Sequence, residues 1–515
     1  MSAPGHKEDD SGGARERRPA PDPIEVQIMA GALASACEEM GAVLIRSAHS
    51  ANIKERRDCS AAVFNPDGEM VMQAEHIPVH LGSMPASVRA VIDRDHRPGV
   101  SWFLNDPFAG GTHLPDITVV TPVFAGTRLV GFAANRAHHA DVGGRVPGSM
   151  PADSRTLTEE GVVISPRVMD ETAISEVTGS MRQPAQRRAD LRAQLAANRA
   201  GANRLAALAE RLGPDGLAAG MNEVIAYAEQ RTRARIESMP DGTFRAEDIL
   251  EGRHGDIHLK LEATVAGDSI RFDFTGSAGP DEGNLNCPRA VTESACYFAV
   301  RVLTDPDIPA SAGAYRPVEV IIPDHTLLNA GPPHAVVAGN VETSSRVADL
   351  CLAAFGCALG QGTMNNLTLG NDEFTYYETI GGGQAGGSDG PGPSAVHVAM
   401  SNTLNTPIEA MEIEFPLRAV EYSVRRGSGG EGANPGGDGI VREIEAAAPM
   451  EFALLTERRR HPPAGGNGGS PGTAGRNYVE RSGSRTELDP KTSGRLEPGD
   501  RLRIDTPGGG GHGRT

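Results

Sequence analysis

Two histidine–acid segments carry the residues best suited to chemistry in this chain. Asp106–Asp116 (DPFAGGTHLPD) holds His113 and Asp116, and Ala133–Gly144 (AANRAHHADVGG) holds His138, His139 and Asp141. Imidazole nitrogens and carboxylate oxygens are the donors that divalent hydrolytic metals take, in converging sets of three or four. Pro115 restricts the backbone between His113 and Asp116, so both side chains can face one point. Two apolar runs, Ile117–Phe124 and Leu129–Ala134, separate the segments. If these pair as a hairpin, His138 returns beside His113, and His113, Asp116 and His138 converge. A fourth donor must come from elsewhere. Glu55 is the first candidate and Glu75 the second, although Glu55 reads equally well as a solvated acid at a helix end. His76, His80 and His139 read as structural histidines. Asp141 reads as an orienting partner for a ligand histidine or as a turn cap.

The elements that must position these residues follow from periodicity and turn chemistry. We expect a disordered tail over residues 1–20 and a metal-bearing α/β region over 21–180. Asp22 caps a helix with Pro23 at its first position, and Met29, Leu33, Ala36, Met40 and Val43 form its apolar stripe. Asn65-Pro66-Asp67-Gly68 joins two short strands, Ala61–Phe64 and Met70–Gln73. A short helix is expected at Val88–Val91. Residues 181–238 read as a helical hairpin broken at Gly213-Pro214-Asp215-Gly216. Residues 239–515 read as β-rich and Gly-rich. Strands are expected at Asp256–Leu261, Ala263–Val265, Ile270–Phe274, Phe374–Thr379, Ala395–Met400, Ile408–Phe415, Ile440–Ile444 and Met450–Leu455. Helices are expected at Thr292–Val302 and Glu342–Leu359. The class is α+β, mixed.

Bulk properties narrow the function. The 515 residues suffice for a sizeable core, and 39% are hydrophobic. A net charge of -18 and only 4% aromatics argue against a nucleic-acid surface or an anionic membrane. The six cysteines form no C-x-x-C pair and read as buried thiols. No stretch is read as a signal peptide or membrane span, so a cytoplasmic protein is expected. There is no Walker-type loop and no H-E-x-x-H motif, and no nucleophile elbow is expected. Gly508, Gly510 and Gly513 match a dinucleotide spacing by form only, because no helix follows them.

Several long blocks resemble one family in order along the chain. They are NIKERRDCSAAVF, HIPVHLGSMP, NDPFAGGTHLPDITVVTPVF, GNVETSSRVAD, SNTLNTPIEAMEIEFP, RRGSGGEGANPGGDGIVREIE and DTPGGGGHG. The chain resembles the hydantoinase B/5-oxoprolinase C-terminal family, to which the large subunit of acetone carboxylase is also related. Its length is similar to that of the separate hydantoinase B subunit. The resemblance implies a partner, a hydantoinase A-type ATPase subunit that binds ATP and activates a small cyclic amide by phosphorylation. It implies that Glu55, His113, Asp116 and His138 hold a divalent metal (Mn, Zn or Fe), with His139 or Asp141 steering a proton. Arg56 and Arg57 are candidates for holding the departing phosphate. The activity expected is ATP-dependent hydrolysis of a hydantoin or lactam. The alternatives are a subunit of an ATP-dependent ketone carboxylase and a non-catalytic scaffold for the ATPase.

Overall fold

The computed structural model describes residues 22–74 and 77–515. The expected tail, Glu75 and His76 lie outside the described residues.

The site rests on a six-stranded sheet of order β2-β1-β5-β4-β3-β6. Its strands are β1 (Cys59–Phe64), β2 (Met70–Ala74), β3 (Trp102–Leu104), β4 (Asp116–Ala125), β5 (Arg128–His138) and β6 (Arg167–Val168). All neighbours are antiparallel. The β1–β2 turn forms as its sequence dictates. The Asn65 side chain accepts from the Asp67 and Glu69 amides, and Gly68 takes the left-handed conformation at φ 77.

Antiparallel sheets often leave one face to water, but this one is covered on both. On one face lie the helix Pro23–Ser47 and the helical hairpin Pro184–Leu212 and Pro214–Glu237. Leu33, Met40, Leu205 and Met221 meet Val63, Val71 and Ala133 there. On the other face, Leu81, Met84 and Val88 of the helix His80–Arg89 meet Phe64, Phe132 and Ala134. Every residue of β1 is therefore buried. The helix His80–Arg89 begins eight residues before the expected Val88 and carries Pro85 inside it, a residue that normally ends a helix and so masks its first turns in the sequence. The helix Pro23–Ser47 is long and apolar enough to cross a membrane, with mean hydropathy 1.5. Its stripe is instead spent on the sheet.

A second core joins the helices Arg289–Leu303 and Ser344–Ala354 to a four-stranded sheet built from 242–273 and Val318–Ile321. A third lies between a four-stranded and a five-stranded sheet from the last third of the chain. Two expected strands there are corrected. Ile408–Glu414 is a helix in which only Met411 is buried, so its alternation of Ile, Met and Glu did not report a sheet. Ala395–Met400 contributes only an isolated bridge, Gly382 to Val396.

The glycine-rich segments form a unit with almost no side chains inside it. The terminal segment 507–513 runs through its middle. Gly508, Gly509, Gly510, Gly511 and Gly513 donate their amides to Thr473, Gly437, Leu359, Ser470 and Gly466, while Gly430, Gly386 and Gly466 donate back to Gly509, Gly510 and Gly511. The neighbours press in on the tracks where a side chain would stand. A Cβ on Gly508 would lie 2.0 Å from the Ser428 carbonyl oxygen, and one on Gly509 2.0 Å from that of Gln384. The two Gly-x-Ser-x-Gly spacings, at 386–390 and 468–472, fall in this unit, with no strand–turn–helix around them. The six cysteines form no disulfide.

Candidate metal centre

The β4–β5 hairpin brings the two histidine–acid segments together. Asp116 opens β4, His138 closes β5, and the register pairs them directly, at the separation where facing side chains touch. His113 sits in the turn just before β4, its ring centroid 5.1 Å from that of His138. One ligand atom from each of His113, Asp116 and His138 lies within 4.8 Å of the others, and all three residues are buried. They face a cavity of about 30 Å³ lined also by Asp58, His80, Asn340, Tyr377, Thr379 and Thr403. That space suits an ion and a water.

The donors suit a metal. Both ring nitrogens of His113, and Nε2 of His138, are buried without a hydrogen-bond partner among the described residues. Each such group costs about 1–3 kcal/mol, and a cation at the centre of the group would satisfy His138 Nε2 and one of the two His113 nitrogens, since each residue offers it one ligand atom. Asp116 Oδ2 lies 3.4 Å from His113 Nε2 and 3.6 Å from His80 Nε2, and accepts from the Thr112 hydroxyl at 2.6 Å. Burial alone would raise the Asp116 carboxyl, but the two imidazoles beside it hold it well below the usual range. Burial, reinforced by His113, pushes His138 well below the usual imidazole range, so its ring is neutral and its lone pair available. The orientation of His138 is fixed from two sides. The Asn52 side-chain amide lies 3.1 Å from its Nδ1; with the amide oxygen turned to that nitrogen it accepts the Nδ1–H and leaves the Nε2 lone pair for a ligand. The Tyr377 ring stacks on it at 4.6 Å and 4°, and the Tyr377 hydroxyl donates to Asn366 at 2.6 Å.

The second carboxylate lining the cavity is that of Asp58; Glu55 does not line it. Glu55 caps the short helix Ala51–Lys54, keeps about a quarter of its side chain exposed and pairs with Lys54 at 3.8 Å. Arg57 then takes a left-handed conformation, φ 54, which turns both Arg56 and Asp58 inward. The Asp58 carbonyl accepts the His138 amide at 3.0 Å, fixing its position beside β5. Burial pushes its carboxyl up to about 6, against the pull of Arg56.

His139 and Asp141 are placed away from the cavity. Strand alternation turns His139 to the face opposite His138, where its Nε2 lies 3.0 Å from the Gln194 side-chain oxygen. Asp141 accepts from the amides of Gly143, Gly148 and Arg182 and pairs with the Arg182 guanidinium at 3.1 Å, fixing a loop. Sequence reasoning missed Asp58, Asn52, Tyr377, Thr379 and Thr403. Asp58 could have been found by asking which acid of KERRD follows the helix end. Asn52 lies in the same block, whereas Tyr377, Thr379 and Thr403 come from segments too remote for any local signal.

The hydantoinase B/oxoprolinase family model matches residues 22–515. The chain belongs to this family. It is 40% identical to 5-oxoprolinase 1 of Arabidopsis thaliana over 96% of its own length and 42% of that protein; it thus spans less than half of that relative. It is 28% identical to the B subunit of a putative D-/L-hydantoinase from a Pseudomonas species, over 96% of this chain and 90% of that one. Among solved structures, the ATP-dependent caprolactamase from Pseudomonas jessenii superposes with a TM-score of 0.90 at 25% identity, covering 96% of this chain and 92% of that one.

Proposed function

We propose that this family member is the metal-bearing half of an ATP-dependent cyclic-amide hydrolase. The observation that carries the reading is the buried set His113, Asp116 and His138, whose imidazole nitrogens have no hydrogen-bond partner among the described residues at three of their four positions. Asp58, which lines the same cavity while Glu55 does not, is the fourth donor in this reading. Named relatives support the substrate class, since they are a 5-oxoprolinase, a putative hydantoinase and a caprolactamase. The higher identity to the 5-oxoprolinase makes a five-membered lactam the first substrate to test. ATP is handled by a hydantoinase A-type ATPase partner, where phosphorylation of the amide oxygen turns a poor electrophile into one with a leaving group.

A divalent metal held by these four residues would supply a Lewis acid and lower the pKa of a water beside it. Thr112 and His80 orient the Asp116 carboxylate. Asn52 and Tyr377 hold the His138 ring. Ile77, Val79, Met364 and Met400 line the rest of the cavity and exclude bulk water, which strengthens every charge interaction within it.

The test is reconstitution with the ATPase partner. The reading predicts ATP-dependent opening of 5-oxoproline or a hydantoin, abolished by chelation and restored by Mn, Zn or Fe. Bicarbonate-dependent consumption of a ketone would replace hydrolysis with carboxylation. Turnover unaffected by chelation and by His113→Ala would leave the chain a scaffold.

A further inference from the structure

The cavity has an electropositive wall beside Asp58, and the hydrogen bonds in that wall leave one proton over. Arg56 is fully buried behind it. Its Nη2 donates both hydrogens, to the Thr379 hydroxyl at 2.9 Å and to the Thr403 hydroxyl at 3.2 Å. The two hydroxyls lie 2.5 Å apart, so one donates to the other. Both threonines line the cavity. Two hydroxyl protons minus the one shared leaves one, and it finds no other acceptor among the described residues.

Arg56 itself is under-satisfied. Its Nε and Nη1 are buried without a hydrogen bond among the described residues. Its ion-pair partner among those residues is Asp58, 3.6 Å from Nη1, and the guanidinium sits 4.4 Å from the Tyr377 ring centroid. A buried cation so sparsely paired is costly. Its charge polarises the threonine pair, and a polarised donor in a water-poor cavity is an oxyanion-stabilising arrangement.

We propose that Thr379 and Thr403 form a catalytic donor pair, polarised by Arg56, that binds a negatively charged oxygen on the species reacting at the centre. This rests on the hydrolase reading and deepens it. The oxygen belongs either to the phosphoryl group on the activated amide or to the carboxylate of the ring-opened product; both present the same acceptor. Arg56 acts through the threonines and positions their protons.

The proton count makes a distinctive prediction. If Thr379 is replaced by Val, Thr403 still accepts from Arg56 and still has a proton for the cavity. The converse holds for Thr403→Val. Each single variant should therefore lose less than about fivefold in kcat, whereas the double variant should lose roughly 100- to 1000-fold, the cost of removing an oxyanion donor. The double Thr379→Ser, Thr403→Ser variant keeps both hydroxyls and should stay near wild type, which separates the role from simple packing. Calorimetry on the metal-loaded full chain gives a reading independent of turnover. Binding of inorganic phosphate, or of acetate, should weaken at least about tenfold in the double Val variant and not in the double Ser variant. A fall with phosphate alone assigns the phosphoryl oxygen, and a fall with acetate alone assigns the product carboxylate.

Wild-type turnover and anion affinity in a folded, metal-loaded double Val variant would overturn the proposal while leaving the hydrolase reading intact. So would full loss in either single variant. If the double Val variant does not fold, the double Thr379→Ala, Thr403→Ala variant, which also lacks both donors, is read in its place with the same expected losses of turnover and anion affinity. No turnover of any cyclic amide, with anion binding that still depends on the two threonines, would sink the hydrolase reading and keep this site.

Discussion

The β4–β5 hairpin and the glycine unit built around residues 507–513 are opposite solutions to one problem, the fixing of a buried geometry. In the hairpin, side chains do the work. Strand register places Asp116 opposite His138, and the chemistry sits in four or five polar groups that are only partly satisfied by the protein. In the glycine unit, the backbone does the work. Its amides and carbonyls are paired across segments far apart in sequence, and side chains are excluded. The first region stores unsatisfied donors and acceptors, which is what a ligand site requires. The second leaves no such capacity and no room. The hairpin should therefore tolerate substitution structurally and fail functionally, and the glycine unit should do the reverse.

The largest expected effect tests the rigid half. Gly509→Ala puts a Cβ 2.0 Å from a carbonyl oxygen of another segment, a contact only backbone movement can relieve. A destabilisation of about 4 kcal/mol or more is expected, above the usual range for one substitution. It is read as loss of soluble protein or a large drop in thermal midpoint. Ordinary stability in this variant would mean that the segments slide freely.

His113→Ala tests the other half. Metal binding and partner-dependent turnover should fall more than about 100-fold, beyond what the loss of a supporting residue costs. Metal-free stability should change by only about 1–2 kcal/mol, because the lost imidazole makes no hydrogen bond among the described residues and Thr112 and His80 still contact the Asp116 carboxylate it pairs with. Equal losses of stability in the two variants would erase the contrast.

A third comparison lies within the metal region. Asp58→Asn should weaken metal affinity by at least about tenfold, and Glu55→Gln should leave it within about twofold. Titrating Mn(II) into each protein decides between them, and the reverse order would restore Glu55 as the ligand.

The smallest effect lies between the two regions. Glu342 accepts from the Met364 amide and the Asn366 side chain, both at 3.2 Å, and its other oxygen has no partner among the described residues. Burial, with Glu457 nearby, pushes its carboxyl up to about 8 from an unfolded value of 4.5. The folded state thus holds a proton that the unfolded state has released. The stability tied to it is full below about pH 4.5 and is lost as pH rises toward 8. Glu342→Gln, neutral throughout, should flatten the pH dependence of unfolding between about pH 5 and 8, by at most about 1 kcal/mol per pH unit. A parallel curve in the variant would show that Glu342 is ionised in the folded protein.

The same contrast explains which parts of the fold and the site were legible in the sequence. The convergence of His113, Asp116 and His138 was legible because donor residue types mark the two segments and alternating apolar runs mark the hairpin that joins them. The Asp22 cap, the Asn65–Gly68 turn and the Gly213 break were legible for the same local reasons. That Asp58 rather than Glu55 lines the cavity was not legible, because a left-handed Arg57, which decides which acid turns inward, leaves no mark on composition. Ile408–Glu414 was taken for a strand because Ile and Met at alternate positions mimic one. The glycine unit could not be read at all. Glycine carries no side-chain pattern, and its partners are carbonyls separated by tens to hundreds of residues. Tyr377, Thr379 and Thr403 reach the cavity from that same half of the chain, so the wall of the site was hidden along with it.

The most direct test of the account is anomalous diffraction from crystals of the full chain grown with Mn(II). It predicts one peak per chain, within bonding distance of His113, Asp116, His138 and Asp58. A peak elsewhere, or none at that position under saturating Mn(II), would contradict the metal centre on which the function rests.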